Sequence, residues 1–161
     1  MVAEKIVYRL GYVGDPDLEP EKTELARGDI RHVLLDLLQN EDEIIEQARD
    51  ANGLIIVDSP ITRRVLENLN RCKVVLRLGV GVDTIDVSAA TDLGVAVVNV
   101  PDLWIREVTN HALALLLSCT RRIIVGDRLI REGKFSSSIG SHVGGLYGET
   151  LGLVGLGHIG I

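Results

Sequence analysis

Short, unbroken apolar runs alternate with stretches of helical spacing through residues 5–98, and this alternation constrains the fold more than any other feature. Lys5–Gly11 (KIVYRLG), Leu54–Val57 (LIIV), Lys73–Leu76 (KVVL) and Val95–Val98 (VAVV) are brief and rich in branched side chains. A continuous apolar strand belongs in a sheet covered on both faces. Strand, helix, strand, helix at this pace predicts an α/β protein with a parallel sheet and right-handed crossovers.

The intervening segments carry helix signals. Leu18–Ala26 has Glu and Lys at helix-friendly spacing. Asn40 can cap a helix with acidic residues in its first turn and Glu43 at the capping-box position, and Ile44, Ile45, Ala48 and Ala51 then share one apolar face. Thr62 can cap a short helix packed through Val65, Leu66 and Leu69, and Asp86 one through Ala89 and Ala90 that ends at Gly94. Residues 29–38 read two ways. Ile30, Val33, Leu34, Leu37 and Leu38 fit the helical template, whereas His32–Leu35 fits a short buried strand, which the alternation favours.

Pro101-Asp102 marks the expected domain boundary, dividing 1–101 from 102–161. A long helix is predicted from about Arg106, running through 106–133. Its His111–Cys119 portion is apolar nearly all round, which predicts burial between domains or subunits. A glycine-containing turn is expected at Tyr12–Asp15, and a glycine- and serine-rich loop over 133–146.

Composition excludes several classes. A net charge of −6 argues against nucleic acid or an anionic membrane as partner. The apolar run Ala112–Cys119 is far shorter than the ~20 residues a membrane span needs. The charged N-terminal stretch lacks the apolar centre of a signal peptide. Cys72 and Cys119 lie far apart inside apolar runs and read as buried reduced thiols, with no metal site implied. The expectation is a cytoplasmic protein.

Two stretches point to anions. Leu151–Val154 feeds as a strand into Gly155-Leu156-Gly157-His158-Ile159-Gly160, a G-x-G-x-x-G dinucleotide fingerprint. Its glycines serve the tight turn, the approach of a pyrophosphate and close helix–strand packing, and the helix N-terminus faces the phosphates. The chain stops one residue after the third glycine, so the acidic ribose ligand expected about 20 residues on would lie beyond Ile161. The second stretch, Gly79-Val80-Gly81-Val82-Asp83, follows the KVVL strand. It reads either as a backbone nest for a carboxylate or as a plain glycine turn. Ser59 lies at the end of the preceding strand and would face the same edge.

RLGVGVDTID, AATDLGVAVVNVPD, EVTNHALALLL and LYGETLGLVGLGHIG, in this order, resemble the D-isomer-specific 2-hydroxyacid dehydrogenase family from about Glu41 to Gly160. The resemblance implies a flavodoxin-like substrate domain followed by the start of a Rossmann NAD-binding domain. It implies hydride transfer between NAD and a 2-hydroxy or 2-keto acid. By the same resemblance, Ser59, Gly79, Val80 and Gly81 would meet the substrate. Val108 would lie near the nicotinamide, and Gly155, Gly157, His158, Ile159 and Gly160 would cradle the pyrophosphate. The 106–133 helix would form a homodimer interface.

The sequence departs from the family pattern at Thr84 (often Asn), Asn110 (often acidic) and His158 (often Arg). The family's catalytic arginine, acidic residue and histidine would all lie beyond Ile161, so no catalytic residue is assigned. His111 reads as a structural histidine, and His32 and His142 lack a carboxylate at a telling spacing. Asp83 and Asp86 read as turn and helix caps, and Arg121, Arg122, Arg128, Arg131 and Glu132 as a solvated helix face or a dimer rim. The chain alone is therefore expected to be inactive. The competing readings are a non-catalytic, NAD-responsive module of the corepressor type and a dimerising fragment. The 151–156 segment, an unpaired strand edge, is expected to be disordered, swapped or held against the long helix.

Overall fold

The computed structural model describes residues 4–11, 18–135 and 143–161. The expected turn at Tyr12–Asp15, His142 and part of the 133–146 loop lie outside the described residues. Five strands, β1 (Lys5–Leu10), β2 (Ile30–Leu35), β3 (Gly53–Ile56), β4 (Val74–Arg77) and β5 (Ala96–Val98), form one sheet. Its order is β2-β1-β3-β4-β5 and every pairing is parallel, the flavodoxin-like arrangement. The described helices are α1 (Glu19–Arg27), α2 (Glu41–Gln47), α3 (Arg63–Asn68), α4 (Val87–Asp92), α5 (Ile105–Thr120) and α6 (Ile123–Arg131). The chain divides into two compact units, Met1–Leu103 and Trp104–Ile161.

In the first unit, Leu10, Leu54, Ile56 and Val75 of the sheet pack against Ile44, Val65, Leu66, Ala89 and Ala90 of α2, α3 and α4. The caps read from sequence are made. Asn40 Oδ1 accepts from the Asp42 N–H at 2.8 Å, Thr62 Oγ1 from Val65 at 3.4 Å and Asp86 Oδ1 from Ala89 at 2.8 Å. The ambiguous segment is strand β2, paired with β1 from Lys5–Ile30 to Leu10–Leu35. That ladder satisfies its backbone and overrides the helical spacing of its leucines.

Helix α1 is attached differently, with no buried residue of its own. Its Glu21 forms an ion pair with the buried Arg9 of β1, and His32 Nε2 of β2 lies 3.5 Å from Glu21 Oε2. His32 thus has a carboxylate partner after all, supplied by a helix rather than by local spacing. Burial holds the His32 pKa below 6.5; Glu21 opposes that shift, and Arg9 and Lys22 reinforce it. Beside α1, Val7, Leu25, Ile55, Leu76 and Val98 line an open apolar groove on the same face of the sheet.

In the second unit, the single helix expected over 106–133 is two helices. Arg122 takes a left-handed conformation (φ 51°) after the last turn of α5 closes through Arg121 N–H to Leu117 O (2.9 Å). The burial expected for His111–Cys119 is not found within the chain, since no α5 residue is buried. His111 and Cys119 are both exposed, and only Cys72 is a buried thiol. A helix apolar on several sides needs several packed neighbours. Among the described residues of this unit, α6 and the segments after residue 142 are all it has.

The strand expected at Leu151–Val154 is also absent. No other strand is described in this unit to pair with it, and an unpaired strand leaves its backbone groups unsatisfied by protein. Residues on either side of the segment approach α5, where Arg121 Nη1 donates to Gly144 O at 3.2 Å and Thr109 Oγ1 lies 3.5 Å from Ile159 O. No described helix is long and apolar enough to cross a membrane.

Candidate functional site

The carboxyl ends of β3 and β4 deliver the first unit's glycine loop. Two of its carbonyls are taken up internally. Gly79 O accepts from the Val100 N–H at 3.0 Å, and Val80 O accepts from Asn99 Nδ2 at 2.8 Å. The N–H groups of Val80 and Gly81 find no partner among the described residues, and Val80 is 48% exposed. A loop with committed carbonyls and spare amides is a donor surface, which suits an anion better than a plain turn would.

A Cβ on Gly79 would overlap Arg77 Nη1, so any side chain there would have to displace the guanidinium. The Arg77 guanidinium therefore lies directly against the loop backbone. Its Nη1 donates to Leu78 O at 2.8 Å, its Nη2 lies 3.6 Å from Asp58 Oδ1, and its buried Nε has no partner among the described residues. Asp83 lies close to Gly81, so that a Cβ added there would stand 2.8 Å from Asp83 Oδ2.

Ser59 is brought to this end of the sheet but is fully enclosed, its Oγ unpartnered among the described residues. The buried Thr84 Oγ1 is unpartnered in the same way. Their loops are joined where the Ile61 N–H donates to Thr84 O at 2.8 Å. Sequence reasoning missed Asp58, Arg77 and Asn99. The available signal was positional: each is a polar residue at the end of an apolar run, where doubly wound sheets put their ligands.

In the second unit, the fingerprint has formed its turn. Gly155 has a φ of 98°, which disfavours any side chain, and a Cβ on Gly160 would overlap the Gly155 carbonyl oxygen. Nothing stands beside Gly157. Gly160 and Ile161 both donate to Gly157 O, at 2.9 and 3.1 Å, beginning a helical turn. The residues present therefore fit a pyrophosphate, with the turn closed and the approach to Gly157 open. His158 and Ile159 are exposed in this turn, and Val108 is exposed in the first turn of α5.

A family model, D-isomer specific 2-hydroxyacid dehydrogenase, catalytic domain, matches residues 13–151. The chain belongs to this family. Its similarity to the glyoxylate reductase of Pyrococcus furiosus is 36% identity over 126 residues, 74% of this chain and 38% of that protein. With the D-3-phosphoglycerate dehydrogenase of Methanocaldococcus jannaschii it is 38% over 121 residues, 74% of this chain and 23% of that protein. The solved structure of an NAD-dependent formate dehydrogenase from Staphylococcus aureus in complex with NAD matches with a TM-score of 0.76 at 27% identity. That match covers 96% of this chain and 50% of the other. This member of the 2-hydroxyacid dehydrogenase family thus spans well under half the length of the curated relatives it matches. Of its described histidines, only His32 has a carboxylate within ion-pair distance, and that pair lies beneath α1.

Proposed function

We propose that the protein carrying this chain is an NAD-dependent oxidoreductase acting on the CH–OH group of a D-2-hydroxy acid. NAD, when bound, would supply the hydride acceptor for C2 of the 2-hydroxy acid, and with the hydroxyl proton released the products would be the 2-keto acid, NADH and a proton. The chain's part in this is binding: residues 1–101 receive the substrate and 102–161 begin the NAD-binding domain. The observation that carries the reading is the Gly79–Gly81 loop, whose Gly79 and Val80 carbonyls are tied while its Val80 and Gly81 amides are spare among the described residues. Those amides would hold the substrate carboxylate. Gly155, Gly157, His158, Ile159 and Gly160 would hold the NAD pyrophosphate, with Val108 near the nicotinamide.

The substrate class follows from the relatives' names, either a small 2-keto acid such as glyoxylate or a phosphorylated three-carbon acid. Calorimetry of the full-length protein with NADH and then with glyoxylate or hydroxypyruvate tests the proposal. Binding of neither cofactor nor acid would end it. Binding without NADH oxidation would favour the NAD-responsive interaction module instead.

The exposed Leu113, Leu115, Leu117, Ile123, Ile124 and Ile130 of α5 and α6 support a second element of the reading, a homodimer formed through this helical region. Light scattering that returned a monomer across micromolar concentrations would remove it.

A further inference from the structure

Among the described residues, Arg77 is the cation that lies against the loop at the end of β4, and it is already engaged. Arg77 touches the Gly79 backbone, gives Nη1 to Leu78 O, keeps Nε enclosed and turns Nη2 toward Asp58 at 3.6 Å. A phosphoryl group is held best by the two-pronged fork of a guanidinium, and the Arg77 fork has Nη1 on Leu78 O, Nε enclosed and Nη2 facing Asp58. Arg63 and Arg64, just past the β3 loop, are also engaged, with Glu67 and Asp92 and with Glu41 and Asp42 respectively. Asp58 is exposed, and Asp83 adds a second carboxylate beside Gly81. Asp58, Arg77 and Asp83 together carry a net charge of −1. The spare Val80 and Gly81 amides can accept one anionic end of a ligand, while a second, doubly charged end meets carboxylates.

We propose that Asp58, paired with Arg77 beside the Gly79–Gly81 loop, makes this a site for unphosphorylated 2-keto acids and excludes their phosphate esters. The inference rests on the reading of that loop as the carboxylate site, and it names the substrate class within it. Asp58 is the specificity determinant. It stands 3.6 Å from Arg77 Nη2, where it competes with a dianion for the guanidinium and repels it, whereas a lone carboxylate on the loop amides leaves the pair undisturbed.

The test compares hydroxypyruvate with 3-phosphohydroxypyruvate, which differ only in the phosphoryl group. Each is titrated into the isotope-labelled 161-residue chain while the Val80 and Gly81 amide resonances are followed. Hydroxypyruvate should bind at least about tenfold more tightly than its phosphate ester, since two like charges are added beside a cluster whose two carboxylates outnumber its one guanidinium. Asp58→Asn should narrow that ratio about fivefold or more by strengthening the ester alone. Arg77→Met, which leaves Asp58 unpaired, should widen it.

An ester that binds the unaltered chain as well as hydroxypyruvate does, or a ratio unmoved by Asp58→Asn, overturns the specificity proposal while leaving the carboxylate site standing. Failure of either ligand to shift the Val80 and Gly81 amides overturns the site itself and the proposal with it. Thermal unfolding of both variants confirms that a changed ratio comes from folded protein.

Discussion

Asn99 donates from Nδ2 to the carbonyl of Val80 at 2.8 Å, tying the exit of β5 to the glycine loop after β4. With Val100 N–H on Gly79 O, this strap holds two successive loop carbonyls and leaves the following amides spare. Asn99→Ala should cost about 1 kcal/mol of stability, the usual net worth of one such hydrogen bond. It should also weaken hydroxypyruvate binding several-fold, because an untied loop must be ordered by the ligand. Urea unfolding and the amide titration measure the two effects separately. A stability loss with unchanged affinity would show that the strap matters to the fold alone.

Gly160→Ala tests the fingerprint. A methyl group there overlaps the Gly155 carbonyl, so the turn must open. NADH affinity of the full-length protein should fall by at least about tenfold, or ~1.4 kcal/mol. The unfolding of the first unit should stay unchanged, since residue 160 belongs to the second unit. Fluorescence titration of NADH reads the first effect and circular dichroism the second.

His32 makes stability depend on pH. Its folded pKa lies below 6.5, mainly through burial, so the unfolded chain binds its proton more readily. Its contribution is complete above about pH 6.5 and is lost as pH falls toward the depressed folded value. Chemical unfolding measured from pH 7.5 to 5 should show stability declining with acid, and His32→Phe should flatten that decline. An unchanged slope in the variant would assign the acid sensitivity to carboxylates elsewhere.

The two thiols should separate cleanly. Cys119 is exposed, whereas Cys72 is buried and its pKa is pushed up by that burial. Under native conditions one thiol should react rapidly with a disulfide reagent, and the second only on unfolding. Protection of Cys119 that is relieved on dilution would place it in the homodimer interface.

Leu54, in the middle of β3, is 1% exposed and packs in the main core. Leu54→Ala should destabilise the first unit by about 2–5 kcal/mol through lost burial and a cavity. Urea denaturation followed by circular dichroism gives the value, and a loss below about 1 kcal/mol would mean the core refills the space.

Much of the first unit was legible because its signals are local. The branched runs at Leu54–Val57 and Val95–Val98 favour strand wherever they are placed, and Asn40, Thr62 and Asp86 cap helices with amides two or three residues away. The glycine loop and the fingerprint were visible for the same reason, since their spacing is a property of the chain. Less visible were the partners that turn a glycine loop into a site. Asp58, Arg77 and Asn99 come from three separate strand ends and meet only once the parallel sheet is assembled.

The second unit marks the opposite limit. The apolar spacing of His111–Cys119 forms the expected helix, but nothing within this chain buries it, because spacing records what a helix requires and not which neighbour supplies it. The Leu151–Val154 run has strand composition but no described neighbour to pair with, and a strand's hydrogen bonds are all made to another strand. Sequence alone determined the α/β alternation, the helix caps and the positions of two glycine-rich turns, since each depends on residues within a few positions of one another. Tertiary structure alone decided that β2 is a strand, that Glu21 reaches His32 and that Asp58 faces Arg77. Those outcomes depend on which segments become neighbours, and that is set by the packing of the whole sheet.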